Sequence, residues 1–521
     1  MNLIALWKRQ WFLLSVLLLM LLGGFLRTYQ LTAPLADWHS FRQADTASVT
    51  REFVKNGVDF LRPQYHDLSN IQSGKDNLDG WRMVEFPLVN GLLAYVLRAF
   101  PSLDLVVTSR VASILASVLS IGLLGWLIKS LHTPKMAVIA VTVFAVMPFA
   151  VFYGRTILPE PFLVLLVLLS AVSWRMWLEK NQRTVLWLLL SALAFAAALL
   201  VKPMAVFFLP LFAGIWLQTP RAESRGWKSV VFPVIAFGVS ALPVLWWRSW
   251  IEQFPTGIPA SSWLLNGNGI RLKPAWWRWL FADRLGRLMF GYWGAALLPF
   301  GLLATFPNET VQKRIAKEAQ FFKRLTSFFF AWAQNGAALL GLTLGMFTYM
   351  VVFASGNVQH DYYQVLLLPW VAWLWAAGAS WMLDRAQTTL EKYTLVAVLV
   401  FIGGFSWIFS WYHVKDWFQI QNPAIVQAGQ AVDRLTPSDA LIIAPYFGDT
   451  AFLFQTNRRG WPIGYYINEK IEFGAQYYVS SSLDDETKQL MQSYTVMEST
   501  DAFTLIDLTQ PASEGATLVQ P

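Results

Sequence analysis

Long apolar runs are the feature that most constrains this chain. Examples are WFLLSVLLLMLLGGFL near the N-terminus and LVVTSRVASILASVLSIGLLGWLI further along. A helix rises about 1.5 Å per residue, so runs of this length suit a hydrocarbon core about 30 Å thick. The chain is also 55% hydrophobic, with a mean hydropathy of +0.43, which is well outside the range of soluble domains. We therefore expect a polytopic membrane protein.

The hydropathy pattern predicts an all-α membrane domain over residues 1–420 with about eleven transmembrane helices. The segment PLVNGLLAYVLRAF is too short to cross a membrane, and we expect it to lie along the interface. It belongs to a large first outer loop at about 28–103. The predicted spans are 11–27, 104–128, 136–152, 156–178, 185–201, 203–217, 230–250, 284–305, 328–353, 364–383 and 393–412.

Positive charge recurs in alternate loops. Lys8 and Arg9 precede the first span, and Lys and Arg residues return in every second loop after it. Because cytoplasmic loops of membrane proteins are enriched in Lys and Arg, this pattern predicts a cytoplasmic N-terminus. It also accounts for the formal charge of +8 without a nucleic-acid partner. We expect a multi-pass protein of a bacterial inner (plasma) membrane whose acidic loops face outward.

Residues 421–521 differ from the rest of the chain. AIVQAGQAVDRL has helical periodicity, whereas ALIIAPY and AQYYVSSS have the pattern of strands. The sequence Pro437, Ser438, Asp439 between them is typical of a turn. We therefore expect a small soluble α/β domain on the extracytoplasmic side. The chain has no cysteine, which excludes disulfides and thiolate metal sites.

Charge concentrates in the first outer loop, although only 14% of the chain is charged. The stretch DTASVTREFVKNG predicts a short helix that Asp45 caps and Gly57 ends. A carboxylate at a helix N-terminus is held ionised and can accept a proton. Asp37, His39 and Arg42 lie within two turns of it. Asp45 is therefore the candidate general base, with Asp37 as the alternative and a purely capping role still open.

Two further pairs of charged residues and one single lysine lie on the predicted outer side. Arg82 and Glu85 precede the interfacial helix, where Glu85 alternatively serves the helix dipole. Arg155 and Glu160 lie between two spans, either as functional residues or as a structural ion pair. Lys202 ends a span, where it either neutralises a phosphate or snorkels to the interface.

The segment HDYYQ precedes the tenth predicted span, and its His360 is one of only five histidines. The tyrosines of this segment either anchor the chain at the interface or contact a substrate. Together with Glu85 and Glu160, His360 offers ligands suited to Mg, Mn or Zn. The candidate residues for binding the substrate and its phosphate are Arg82, Arg155, Lys202, His360, Tyr362, Tyr363 and Gln364.

The segments HSFRQADTA, EFPLVNG, GRTILPEPF, LVKP and HDYYQ occur in this order. Together they resemble the GT-C glycosyltransferases, in the branch of the protein O-mannosyltransferases and aminoarabinose transferases. That branch includes bacterial membrane proteins of glycosyltransferase family 39 type. The resemblance covers most of the chain, although only these short segments are diagnostic. It implies a GT-C membrane fold, an Asp general base and a polyprenyl-phosphate sugar donor, without a nucleotide cofactor.

The chain departs from the branch at two places. Where the branch carries an adjacent Asp-Glu pair, this chain has Arg42 and Gln43, so the base role falls on Asp45 one helical turn away. Phe86 stands where the branch has a lysine. Phosphate binding must then rest on the remaining cations or on a divalent metal.

The function that the resemblance implies is transfer of a sugar, with inversion, to an acceptor hydroxyl on a glycan, lipid or protein. The alternative is a polytopic transporter or a lipid-sugar flippase. Transporters tend to place charged residues in the middle of spans and to show inverted repeats. The apolar runs contain few charges, Arg110 being an exception, and no convincing repeat is found. The pattern therefore favours the transferase.

The predicted orientation is tested with reporter fusions. An alkaline phosphatase fused after residue 430 is expected to be active, because that part of the chain lies outside the cytoplasm in this topology. A fluorescent protein that folds only in the cytoplasm serves as the control at the same position. Fluorescence without phosphatase activity would overturn the orientation.

Overall fold

The computed structural model describes residues 3–179, 185–219, 228–307, 309–316 and 320–512. Most of this chain is helical, and a small sheet lies near the C-terminus. The α-helices are Leu3–Arg27, Ser40–Asn56, Leu88–Ala99, Leu105–Leu131, Pro134–Val146, Pro148–Tyr153, Glu160–Glu179, Val185–Val201, Leu209–Gln218, Lys228–Ser240, Leu242–Ile251, Trp263–Asn266, Pro274–Trp277, Leu297–Leu303, Glu309–Ala316, Phe321–Val352, Ala354–Gln359, Leu368–Leu383, Thr389–Val414, Pro423–Leu435, Ala451–Gln455, Ile467–Glu472 and Asp485–Ser493. Short 3₁₀ segments are Pro203–Phe208, Pro255–Gly257, Trp293–Ala296, Asp361–Leu367 and Lys415–Phe418, and Arg278–Met289 is a π-helix.

Seven helical segments of the described ranges are long and apolar enough to cross a membrane. The polytopic architecture is thus confirmed, while the number eleven stays a prediction. Four of the predicted spans correspond to shorter apolar helices. The seven segments are Gln10–Arg27, Leu105–Leu131, Glu160–Glu179, Val230–Ile251, Ala331–Val352, Asp361–Leu383 and Thr389–Leu435.

Several of the predicted spans are interrupted. The span predicted at 136–152 breaks at Pro148, which cannot donate the backbone hydrogen bond of a continuous helix. The span predicted at 284–305 consists of a π-helix, a 3₁₀ turn and the short helix Leu297–Leu303. Hydropathy alone does not register such breaks, because the residues on either side are equally apolar.

The helix Leu209–Gln218 packs very closely against Phe321–Val352. A Cβ atom at Gly341 would lie 2.1 Å from the backbone oxygen of Pro210, and one at Gly345 would lie 1.9 Å from that of Phe207. Only glycine permits this approach. The contact fixes the segment that begins directly after Lys202, and so it helps to hold that lysine in position.

The first helix of the outer loop begins earlier than predicted. It runs from Ser40 to Asn56, and His39 starts it in a left-handed conformation with φ of 55°. Asp45 therefore lies in the helix interior, and the prediction that it caps the helix is wrong. The reason is tertiary, because the added first turn is buried against the rest of the protein. The helix ends at Gly57, with φ of 99°, as predicted.

The C-terminal sheet has five strands: β1 Leu441–Ile443, β2 Arg459–Trp461, β3 Ala475–Ser480, β4 Tyr494–Ser499 and β5 Thr504–Pro511. Their order is β2-β1-β3-β5-β4, in which β1 is parallel to β2 and β3 and the other pairs are antiparallel. The predicted helix after residue 421 and the strands at ALIIAPY and AQYYVSSS are confirmed. We call residues 423–512 the C-terminal region; residues 513–521 of the predicted domain lie outside the described residues.

The C-terminal region docks on the first outer loop through backbone hydrogen bonds. The Leu68 N–H donates to the Gly460 carbonyl over 2.8 Å, and the Gly460 N–H donates to the His66 carbonyl over 2.9 Å. Gln455 Nε2 donates to the Leu35 carbonyl over 2.9 Å. These contacts join the two parts of the chain.

Candidate active site

Asp45 lies at the centre of a buried group of polar side chains. Its Oδ2 pairs with Arg82 Nη2 at 3.0 Å and accepts from Gln72 Nε2 at 3.1 Å. Its Oδ1 accepts from the Thr450 hydroxyl at 2.7 Å. The carboxylate is only 3% exposed, so these donors replace the water that would otherwise solvate it. Two donors come from the first outer loop and one comes from the C-terminal region.

A second chain of charges runs beside Asp45. Arg42 forms an ion pair with Glu85, and Lys202 forms one with Glu160 while its Nζ lies 3.8 Å from Glu85 Oε1. Burial disfavours the ionised form of Glu85, but Arg42, Lys202 and Arg82 outweigh burial and keep the pKa of Glu85 below its ordinary value. Glu85 is therefore held ionised at neutral pH.

Two cavities meet at these charged side chains. The wide cavity, of about 510 Å³, extends towards Lys202, Arg248 and the HDYYQ segment. The narrow cavity, of about 40 Å³, extends between the helices Ser40–Asn56, Leu88–Ala99 and Leu105–Leu131. Four charged side chains line both cavities and form what we call the charged partition: Arg42, Asp45, Arg82 and Glu85.

Three of the five residues of the HDYYQ segment line the wide cavity. His360, Tyr362 and Tyr363 line it, and the imidazole of His360 stacks on Tyr362 with a centroid distance of 5.3 Å. Burial, followed by the nearby His39 and other cations, lowers the pKa of His360 to about 4, so this ring is neutral at physiological pH. The Lys202 ammonium lies 5.2 Å from the ring centroid of Tyr363. These groups bring aromatic surface beside the cationic residues.

His39 lies behind the side chains of His360, Tyr362 and Tyr363. Its Nε2 is 2.5 Å from Asp361 Oδ1, and Asp361 also accepts from Trp38 Nε1 at 3.2 Å and from the Tyr153 hydroxyl. This buried network ties the outer loop to the segments at 148–153 and 361–367. His39 supports the site through Asp361 and does not line the two cavities.

Three other predicted site residues lie away from the cavities. Asp37 Oδ2 pairs with Arg155 Nη2 at 2.6 Å and with Arg110 Nη2 at 3.3 Å. The alternative pairing of Arg155 with Glu160 is thus wrong, because Asp37 and Lys202 are the partners that the two residues contact. Gln364 donates to the Asn357 carbonyl of the preceding helix at 2.8 Å. Asp37, Arg155 and Gln364 are therefore paired within the protein and do not face either cavity.

The predicted metal ligands do not form one ligand set. In the described ranges no group of three or more His, Asp or Glu side chains is close enough to hold a metal ion. The Lys202 ammonium lies between Glu85 and Glu160, in the position that a bridging cation would take, and His360 stacks on Tyr362 instead. The residues therefore do not fit the expected metal site.

Three residues of the site were not predicted from the sequence. Gln72 and Thr450 occur in segments without a motif, and neither carries a charge that would mark it. Arg248 lines the wide cavity, is exposed, and stands in the otherwise apolar helix Leu242–Ile251. A charge near the end of an apolar helix is a signal that could have pointed to Arg248.

Solved structures with the same architecture define the class of protein. ArnT from Cupriavidus metallidurans bound to undecaprenyl phosphate matches with a TM-score of 0.60 at 12% identity, over 94% of this chain and 97% of that one. The oligosaccharyltransferase AglB of Archaeoglobus fulgidus, with an inhibitory peptide and a dolichol-phosphate, matches with a TM-score of 0.52 at 13% identity, over 98% and 75% of the two chains. The mycobacterial arabinofuranosyltransferase AftD matches with a TM-score of 0.51 at 15% identity, over 96% and 41%. The chain thus has the fold of the GT-C glycosyltransferases.

The family comparison agrees with the fold. The family model of dolichyl-phosphate-mannose-protein mannosyltransferases matches residues 89–247. These residues include the interfacial helix, the GRTILPEPF segment and Lys202. No curated protein sequence matches the chain. The resemblance to GT-C glycosyltransferases of the mannosyltransferase and ArnT type is confirmed.

Asp449, beside Asp45, provides a test of the site's electrostatics. Burial, together with the charge of Asp45, raises the pKa of Asp449 to about 6 from 3.8. Because the folded-state pKa is the higher one, ionisation of Asp449 costs stability as the pH rises through this interval. Asp449→Asn keeps the oxygen that accepts from the Ala451 N–H. We expect this variant to be more stable than the wild type by about 1 kcal/mol at pH 8, with no difference below pH about 4.

The measurement is thermal unfolding of the detergent-solubilised full-length protein across this pH range. Asp439→Asn, at an exposed turn position, is the matched control and is expected to change nothing. A gain for Asp449→Asn that is the same at every pH would contradict the electrostatic explanation.

Proposed function

We propose that this protein is a membrane glycosyltransferase that transfers a sugar from a polyprenyl-phosphate donor to an acceptor hydroxyl. The observation that carries the proposal is the position of Asp45 in the charged partition, where it is accessible from two cavities. A transferase needs such an arrangement because the donor and the acceptor must meet at one base. The proposed location is the extracytoplasmic side of a bacterial inner membrane.

The wide cavity is the proposed donor site. A phosphate is already a good leaving group and needs positive charge where negative charge grows during the reaction. Arg42 and Lys202 supply that charge, and both have carboxylate partners that hold them in place. Tyr362 and Tyr363 add apolar surface for the sugar and the first prenyl units. The likeness to ArnT with undecaprenyl phosphate and to AglB with dolichol-phosphate supports a donor of this class.

Arg248 is the proposed clamp for the donor phosphate. Arg42, Arg82 and Lys202 each form an ion pair with a carboxylate. Arg248 lines the same cavity, is exposed, and has no ion pair with a described residue. A guanidinium without a carboxylate partner keeps its hydrogen-bond donors for a phosphate, which it binds in bidentate geometry.

The narrow cavity is the proposed acceptor site. It combines polar side chains such as Thr46, Thr50 and Asn90 with the apolar Val89 and Leu93. An acceptor hydroxyl that enters there reaches the carboxylate of Asp45 from the side opposite the donor phosphate. The acceptor classes compatible with this surface are a glycan, a lipid and a protein hydroxyl.

The proposed reaction is a direct displacement. Asp45 takes the proton of the acceptor hydroxyl while the acceptor oxygen attacks the anomeric carbon of the sugar. The bond from that carbon to the phosphate oxygen breaks, and polyprenyl phosphate leaves against the cations of the wide cavity. Because one displacement takes place without a covalent intermediate, the configuration at the anomeric carbon inverts.

Removal of the base tests the proposal. Asp45→Asn keeps the size of the side chain but cannot accept a proton at neutral pH. A positioned base contributes about a hundred- to ten-thousand-fold in rate, so kcat is expected to fall by that amount. The assay is consumption of labelled lipid-linked sugars from a panel by the purified protein. Asp59→Asn, an exposed acid of the same outer loop, is the control and should retain full activity.

Two results would count against the proposal. Full activity of Asp45→Asn would move the base to another residue. A wild-type protein that consumes none of the lipid-linked sugars would remove the transferase function itself.

The role of Arg248 has its own test. Arg248→Ala removes a charge-assisted contact that is worth about 1.5–3 kcal/mol, so kcat/KM for the lipid-linked donor is expected to fall about ten- to a hundredfold. The fall in kcat/KM should come mainly from a rise in KM for the donor, whereas KM for the acceptor should stay constant. Arg278→Ala, an exposed arginine that lines neither cavity, is the matched control. An equal rise in both KM values would contradict a specific phosphate contact.

A further inference from the structure

We propose that the C-terminal region completes the active site, and that Thr450 is the residue through which it orients the base Asp45. This inference rests on the proposed function. It gives the C-terminal region a direct part in the reaction, since the region supplies a side chain that contacts the catalytic carboxylate.

The two oxygens of Asp45 have different surroundings. Oδ2 receives Arg82 at 3.0 Å and Gln72 at 3.1 Å, which occupies both of its acceptor directions. Among the described residues, Oδ1 receives only the Thr450 hydroxyl, at 2.7 Å. A carboxylate oxygen accepts two hydrogen bonds, so Oδ1 keeps one direction open. Oδ1 is therefore the atom that accepts the proton of the substrate hydroxyl.

Thr450 determines where that open direction points. A carboxylate held on one oxygen can still turn about the bond to its Cβ, whereas a donor on each oxygen fixes its plane. The Thr450 hydroxyl also lies 3.1 Å from the Phe41 carbonyl. Its single proton goes to the carboxylate, because that contact is shorter and the acceptor is charged.

The position of Thr450 is itself fixed by the fold. Its side chain is 4% exposed, and the residues that follow it, Phe452 and Leu453, are buried in the core of the C-terminal region. On the other side, Arg51 Nη1 donates to the Phe454 carbonyl at 2.7 Å. Thr450 is thus anchored both to the C-terminal core and to the helix that carries Asp45.

Thr450→Val removes the hydroxyl and keeps the shape of the side chain. We expect kcat to fall about tenfold and KM for the lipid-linked donor to stay constant, because Thr450 contacts the base and lines neither cavity. The ionised carboxylate also loses a donor, so the acidic limb of the pH profile of kcat should move up by about half to one pH unit. The charged groups that face Asp45, namely Arg42, Arg82, Asp67 and Asp449, are unchanged in this variant.

Two variants serve as controls for these kinetics. Thr450→Ser restores the hydroxyl and should recover most of the rate and the wild-type pH profile. Thr456→Val removes another buried hydroxyl, six residues further on, which donates to the Leu453 carbonyl. It should leave both kcat and the pH profile unchanged. Wild-type kinetics of Thr450→Val, or equal losses in Thr450→Val and Thr450→Ser, would overturn the positioning role.

A cross-linking experiment separates this proposal from the proposed function, since it needs no activity. The chain contains no cysteine, so Asp45→Cys with Thr450→Cys introduces the only thiols. Oxidation should join them in the full-length protein and protect both from a maleimide polymer. Asp45→Cys with Ser438→Cys, which lies in the exposed turn before β1, should stay unlinked.

Together, the kinetic and cross-linking results distinguish failure of the Thr450 contact from failure of the proposed function. Absence of the cross-link would overturn the contact between the C-terminal region and the base. A cross-link together with an inactive wild-type protein would overturn the proposed function and, with it, the role of Thr450. A cross-link together with a tenfold loss in Thr450→Val supports both.

Discussion

Charged groups can be buried beside an apolar membrane domain only when they are paired, and this constraint organises the outer end of the protein. An isolated charge would lose its hydration and would neutralise or unfold its surroundings. Here the carboxylates of the first outer loop pair with cations from other segments: Asp37 with Arg155, Asp45 with Arg82, and Glu85 with Arg42. The loop is therefore held in one arrangement by charges that include those of the proposed reaction.

The ion pairs divide into two groups with different roles. Those of Asp37 lie away from both cavities and have the geometry of a structural clamp between the loop and the membrane helices. Those of the charged partition line two cavities. The difference explains why Asp45, and not Asp37, is the proposed base although both are buried acids of one loop.

The C-terminal region also helps to hold the first outer loop in one arrangement. It docks on the outer loop through the backbone of Gly460 and through side chains such as Gln455. This docking covers the helix Ser40–Asn56 and brings Thr450 to the carboxylate. A base that is held from two parts of the chain loses little entropy on reaching the reactive geometry, which is the physical benefit of such preorganisation.

The sequence by itself determined the polytopic character of the chain, the helix end at Gly57, two strands of the C-terminal sheet and the segments that carry the charges. Each of these follows from local signals, namely hydropathy, alternation of polar residues and the conformational freedom of glycine. The tertiary structure alone decided the partners: that Asp45 lies inside a helix, that Arg155 contacts Asp37, and that Lys202 stands where a metal was expected. It also brought Gln72, Arg248 and Thr450 to the site. Such contacts join residues far apart in the chain, and no periodicity within a single segment encodes them.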